Sequence, residues 1–283
     1  MRKGIVMEGG AMRGMFTCGV LDVLMEEDIS FDGAVGVSAG ATFGCNLKSH
    51  QIGRAYRYNK KYCSDKRYHS IRSLVLSGDI YNVPFCYDEL PHKLDKWDEK
   101  AFEENPMEFY CVATDVEKGA PVYHKCTDGR TGDLKWIQAS ASMPLVSRIV
   151  NIDGGKYLDG GTSDSIPLKF MEDNGYDKIL VIETQPIDYI KGQQKLMPLV
   201  KAMYRKYPAM IECMDKRHLM YNEEKRYIRE KEKAGEVVVI RPKEPLNINP
   251  IEKDPKEIER VYELGRAAGK EKLLQIKAYF EET

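Results

Sequence analysis

Apolar and polar positions along the first part of the chain fall into short buried-type runs separated by helical spacing. Lys3 to Glu8 predicts a strand, and a glycine-rich turn follows at Gly9 to Gly14. Phe16, Val20, Val23 and Leu24 then recur at helical spacing. Phe31 to Val37 predicts a second strand, and Ala39 to Lys48 a helix of small residues. Strand, turn and helix twice over implies parallel pairing in an α/β sheet. Region 50–105 is polar, tyrosine-rich and weakly periodic, which fits short helices and loops over one end of that sheet. Glu108 to Asp115 and Ala120 to Lys125 predict a hairpin around Glu117-Lys118-Gly119. Asp133 to Ser142 predicts a helix stopped by Pro144. Ile149 to Ile152 and Lys156 to Leu158 predict two arms around Asp153-Gly154, and Lys178 to Glu183 another buried strand.

After about residue 190 the pattern changes. Lys201 to Lys233 is dense in Lys, Arg and Glu and helix-prone, with ten basic against six acidic residues. Gly235 breaks it, Val237 to Ile240 predicts a strand, and Lys256 to Phe280 predicts a helix with Gly265 and Gly269 as weak points. The expected organisation is a domain over 1–190 and a mainly helical C-terminal extension over 191–283 with one short strand. Met203, Met210, Met214, Tyr207 and Tyr221 alternate with basic residues there and favour a face packed on the core over a membrane-lying amphipathic helix.

Composition narrows the function classes. The chain has 283 residues, with 43 Lys and Arg against 44 Asp and Glu, a formal net charge of −1. That balance speaks against a nucleic-acid binder. No apolar run approaches the roughly 20 residues of a membrane span, and Glu8 interrupts the short N-terminal apolar stretch. Seven cysteines without a C-x-x-C pair fit reduced thiols, neither a disulfide frame nor a zinc site. The expectation is a cytoplasmic protein.

Gly36-Val37-Ser38-Ala39-Gly40 fits G-x-S-x-G, which places a serine on a tight strand-to-helix turn with its hydroxyl exposed. Gly36 and Gly40 are needed where side chains would meet neighbouring backbone. Gly9-Gly10-Ala11 at the end of the first strand can turn successive amides into one concavity, an oxyanion site to which the Ala39 amide could add. Arg13 and Gly14 follow, the arginine able to hold the loop or to attract anionic head groups. A nucleotide reading competes, because Gly9, Ala11 and Gly14 fit G-x-A-x-x-G. It lacks an acidic residue at the end of the second strand, where Ser38 stands instead.

A serine nucleophile needs a base. Of five histidines only His218 follows the acidic candidates, and its charged helical surroundings place it toward solvent. A carboxylate acting directly is the alternative. Asp153-Gly154-Gly155 and Asp159-Gly160-Gly161 are the candidates. Asp153 suits a hairpin turn, whereas Asp159 ends the return strand, where catalytic groups of such sheets collect.

Gly9-Gly10-Ala11-Met12-Arg13-Gly14, Gly36-Val37-Ser38-Ala39-Gly40 and Asp159-Gly160-Gly161 together resemble the patatin-like phospholipase family. Ala139-Ser140-Ala141-Ser142-Met143-Pro144 resembles a fourth block of that family. The resemblance spans about residues 3–185. It implies a three-layer α/β/α fold with a mostly parallel central sheet. It also implies Ser38 as nucleophile, Asp159 as base, Gly9, Gly10 and Ala11 as oxyanion loop, and Arg13 in support. The activity implied is hydrolysis of acyl esters of lipids without a metal; no cofactor is expected, and the lipid would be met by transient membrane-surface contact or as monomers. Ala11 departs from the family's third glycine and is expected to keep φ negative. Tyr56, Tyr58, Tyr62, Tyr68, Val75, Leu76, Tyr81, Val83 and Phe85 are equally candidates for an acyl-chain entrance or for plain packing. A lipid-binding or regulatory protein that keeps the fold without turnover is the alternative from another class.

Overall fold

The structure, a computed structural model, describes residues 1–281. In chain order the strands are β1 (Lys3–Met7), β2 (Gly33–Val37), β3 (Glu108–Asp115), β4 (Ala120–Cys126), β5 (Val150–Ile152), β6 (Gly155–Asp159), β7 (Lys178–Ile182) and β8 (Val237–Ile240). The helices are α1 (Gly14–Glu26), α2 (Ala39–Lys48), α3 (Arg54–Tyr62), α4 (Ile71–Ser77), α5 (Glu99–Glu104), α6 (Thr131–Ser140), α7 (Leu168–Asp173), α8 (Met197–Met203), α9 (Pro208–Lys233) and α10 (Pro255–Glu281). A π-helical segment occupies Phe85–Leu94.

The strands form one sheet in the order β5-β6-β3-β2-β1-β7-β8, with β4 paired to β3. From β3 to β8 the pairing is parallel, and β4, β5 and β6 join antiparallel. The parallel strands are buried on both faces, which is why they read as unbroken apolar runs. Side chains still alternate between two layers. Ile5, Met7, Leu180, Ile182, Val238 and Ile240 face a core shared with α1, α2 and α10. Val6, Val35, Val181, Val237 and Val239 face one shared with Met171 of α7 and Tyr221 and Ile228 of α9. The result is the expected α/β/α sandwich.

One detail of the sheet positions the site. β4 pairs with β3 along Phe109–Asp115. The other edge of β3 is divided between two strands. β2 takes it up to Val37 opposite Val112, and β6 takes the remainder from Asp159 opposite Ala113. The C-terminal ends of β2 and β6 therefore meet head to head over adjacent residues of β3. The β5–β6 hairpin turns at Asp153 (φ 48°) and Gly154 (φ 81°), two consecutive positive φ values of the type that suits such tight turns.

The C-terminal residues are built into the same layers. α9 covers one sheet face, β8 extends the sheet beside β7, and α10 packs along α1 on the other face. Lys201 to Lys233 is not one helix, because α8 ends before Pro208 opens α9. Gly265 and Gly269 are not weak points. A Cβ on Gly265 would lie 2.0 Å from the Phe16 carbonyl oxygen, and one on Gly19 2.1 Å from that of Tyr262. These glycines let α1 and α10 cross at backbone contact.

Candidate active site

Ser38 stands between β2 and α2 with φ 53° and ψ −117°. This conformation is costly for a non-glycine residue and is held by what surrounds it. A Cβ on Gly36 would lie 2.4 Å from the Gly40 carbonyl oxygen, and one on Gly40 2.3 Å from that of Met7. The two glycines of the motif thus allow the turn to close against itself and against β1. The Ser38 N–H donates to Ser140 Oγ at 2.9 Å, which further fixes the turn.

Asp159 arrives from the opposing strand. Ser38 Oγ donates to its Oδ2 at 2.6 Å, and its Oδ1 accepts the Gly161 N–H at 2.8 Å. Its own N–H donates to the Ser142 carbonyl, and its carbonyl accepts from Thr114 Oγ1, both at 2.8 Å. Both side chains are buried, Ser38 at 7% and Asp159 at 5% exposure. Burial raises the Asp159 pKa above its ordinary value, against the opposing pull of the Ser38 hydrogen bond, Arg217, the Gly161 amide and Lys191. A carboxylate in this state can accept a proton from an adjacent hydroxyl more readily than a solvated one. Asp153 lies in the exposed hairpin turn.

The Gly9–Ala11 loop lies against the serine. A Cβ on Gly9 would be 3.0 Å from Ser38 Cβ, and one on Gly14 2.8 Å from Ala39 Cβ. Among the described residues the amides of Gly9, Gly10, Ala11 and Ala39 have no protein acceptor. Gly160 fits because its Cα approaches β3 closely; a Cβ there would lie 2.1 Å from the Val112 carbonyl oxygen. Arg13 Nε donates to Thr184 Oγ1 at 3.4 Å, tying the loop to the segment after β7. Ala11 departs from expectation: its φ is +46°. The chain path demands the left-handed region there, and alanine adopts it at a cost of about 1 kcal/mol.

No histidine touches Ser38 or Asp159 among the described residues. His218 Nδ1 contacts the Asp215 carbonyl at 3.0 Å. His124 Nε2 bonds Asp133 at 3.0 Å, with its ring stacked on Trp136. Donor atoms of His124, Cys126 and Asp133 lie within 4.8 Å of one another, as metal ligands could. The other Asp133 oxygen, however, accepts the amides of Thr127, Asp128 and Gly129, so the aspartate is committed to shaping its own loop.

From Ser38 and Ala39 an apolar cavity of about 100 Å³ extends beneath the tyrosine-rich region. Tyr58, Tyr68 and Tyr81 line it, joined by Tyr87 and Ile137. Tyr62 and Phe85 instead pack edge to face at 5.4 Å. Tyr56 stacks on Tyr262 at 4.0 Å. Val75 and Leu76 stand exposed on α4.

Sequence reasoning missed four contributors. Ser140 was visible in a small-residue block but without a role. Arg217, Lys191 and Thr184 come from beyond the motifs, and only the tertiary fold brings them here. Arg217 Nε donates to the Gly161 carbonyl at 2.6 Å.

Comparison with known proteins bears on the family. Residues 5–171 match the patatin-like phospholipase family, and residues 207–281 match a domain of unknown function, DUF6363. The Escherichia coli K12 uncharacterized protein YjjU is 32% identical over 195 residues, covering 65% of this chain and 52% of that protein. Lysophospholipase nte1 of Aspergillus terreus is 28% identical over 193 residues, again 65% of this chain but 12% of that protein. The chain thus spans about half or less of these relatives' length. Among solved structures, VipD from Legionella pneumophila aligns with a TM-score of 0.48 at 13% identity, over 98% of this chain and 67% of that one. With the family match covering most of the sheet, both strand-end turns and Asp159, this chain belongs to the patatin-like phospholipase family.

Proposed function

We propose that the protein is a serine-dependent lipid acyl hydrolase, of phospholipase A or carboxylesterase type, acting through Ser38 and Asp159. The observation that supports it most is the 2.6 Å hydrogen bond from Ser38 Oγ to Asp159 Oδ2 in a buried site. Ser38 Oγ attacks the ester carbonyl carbon as its proton passes to Asp159. The amides of Gly9, Gly10, Ala11 and Ala39 are free to receive the developing oxyanion. The tetrahedral species collapses, Asp159 returns the proton to the alcohol oxygen, and the alcohol leaves. Asp159 then takes a proton from water as the water oxygen attacks the acyl-serine carbonyl; the tetrahedral species collapses, Asp159 returns the proton to Ser38 Oγ, and the fatty acid leaves. The apolar cavity opening at Ser38 suits the acyl chain. The family and its lysophospholipase-named members support a lipid ester as substrate.

No helix among the described residues is long and apolar enough to cross a membrane. Lipid would then be met at a membrane surface or as monomers. The test is hydrolysis of p-nitrophenyl butyrate and of a lysophospholipid panel by wild type and Ser38→Ala. The variant is expected to fall to background while melting as a folded protein. Equal rates would refute the nucleophile, and a folded wild type that binds vesicles without hydrolysis would leave the lipid-binding alternative.

A further inference from the structure

The two walls of the site differ in character. The apolar cavity lies on the α2 side of the sheet, and on the α9 side the wall is cationic. Arg217, on α9, holds the carbonyl of Gly161, whose amide in turn holds Asp159. A Cβ on Gly161 would lie 3.1 Å from Asp159 Oδ1 and 3.4 Å from Arg217 Nη2, so the guanidinium lies across Gly161 from Asp159. Lys191 comes from the loop between β7 and α8. Its backbone is clamped by Asn222, which accepts its N–H at 2.8 Å and donates to its carbonyl at 3.0 Å. Its ammonium sits 4.3 Å from the centre of the Tyr221 ring. Arg13 lies nearby on the loop after β1.

None of these three cations forms an ion pair among the described residues. The carboxylates that face Lys191 are otherwise engaged. Glu8 accepts from the Tyr221 hydroxyl and the Thr184 amide. Glu224 accepts from the Ser165 and Ile166 amides, and burial together with Asp164 pushes it toward its neutral form. Partly buried cations close to a reactive pair and without anions of their own fit an anion that comes with the ligand.

We propose that Lys191 and Arg217, with Arg13 beside them, form a subsite for a phosphate group on the alcohol side of the scissile ester. The protein then prefers phosphate-bearing acyl lipids to neutral glycerides; this rests on the hydrolase reading above. The acyl chain fills the cavity on the α2 side, and the phosphate faces α9. Burial first, then Arg217 and Arg13, against Glu8 and Glu224, push the Lys191 ammonium down to about 8. Binding of the phosphate substrate therefore weakens as pH rises through about 8, where Lys191 loses its charge.

The test compares kcat/KM on 1-decanoylglycerol 3-phosphate and on 1-decanoylglycerol for wild type, Lys191→Gln and Lys191→Arg. Calorimetric titrations of glycerol 3-phosphate and of inorganic phosphate run alongside. Wild type is expected to favour the phosphate substrate by tenfold or more. Lys191→Gln should lower that ratio about tenfold, chiefly through KM. Lys191→Arg should keep the ratio and lose the rise of KM above pH 8. A wild-type ratio of one, or one that Lys191→Gln leaves unchanged, overturns the proposal. So does a ratio of one with tight inorganic phosphate binding, which would make the site a free-phosphate site. If wild type cleaves neither ester, the hydrolase reading fails separately. Glycerol 3-phosphate binding that Lys191→Gln weakens then still supports the subsite, and its absence refutes it.

Discussion

Ser38 and Asp159 each occupy a position that costs stability. Ser38 adopts a backbone conformation that few residues tolerate, and Asp159 is a carboxylate with little water around it. An acid whose native pKa is raised weakens the fold once pH exceeds its unfolded value of about 3.9, because the unfolded chain releases the proton first. Asp159→Asn removes that penalty while keeping the side-chain shape. The variant should melt above wild type at pH 7, with the difference vanishing below about pH 4. It cannot take the Ser38 proton, so kcat should drop by roughly 10²–10⁴. For the same reason the acid limb of kcat/KM in wild type should have its midpoint above the ordinary aspartate range. Ala11 offers a second residue-scale test. Ala11→Gly should leave both stability and turnover close to wild type, since the relief of about 1 kcal/mol is offset by glycine's backbone entropy. Ala11→Val places a β-branched residue in the left-handed region and should cost about 1–3 kcal/mol in urea unfolding, with a loss of activity. The Ser38, Asp159 and Gly36/Gly40 positions were legible in sequence because each follows from a local turn requirement. The sign of φ at Ala11 was not, since it depends on the path from β1 into α1.

At the scale of elements, the site exists because β2 and β6 run toward each other along one edge of β3. Parallel pairing of β1 and β2 could be read from strand–turn–helix alternation, and the Asp153-Gly154 hairpin from its turn residues. That two strands share one edge of β3 could not be read, because Glu108–Asp115 looks like an ordinary uninterrupted strand. Helix contacts were similarly hidden. Gly265 lowers intrinsic helix propensity, yet its value lies in what crosses it: the Phe16 backbone on α1. Gly265→Ala improves propensity by about 1 kcal/mol but forces a methyl into backbone. Net destabilisation of at least 1–3 kcal/mol is expected by urea unfolding. Stabilisation instead would mean that α1 and α10 do not cross at backbone contact.

For the whole molecule, the segment after residue 190 supplies a sheet strand and one helix to each face. Tyr221 and Ile228 of α9 and Ile258, Val261 and Ile276 of α10 are buried against the layers they cover. A chain ending at residue 190 would expose both faces beside β1 and β7. It is expected to be insoluble or to bind the hydrophobic dye ANS; a soluble, cooperatively melting 1–190 fragment would contradict this packing. Composition hinted at the role of this segment only through its local excess of basic residues. The sequence could not say that two cations of this segment, Lys191 and Arg217, act electrostatically on an aspartate contributed by a different strand. Such convergence depends on tertiary placement, which no local pattern encodes.

The central claim is that Ser38 is a nucleophile activated by Asp159. It is tested most directly by incubating the folded protein with a fluorophosphonate probe and locating the adduct by mass spectrometry. A single adduct on Ser38 in wild type is predicted, with none in Ser38→Ala and labelling slowed at least a hundredfold in Asp159→Asn. Wild-type protein that stays unlabelled, or an adduct on another residue, would contradict it.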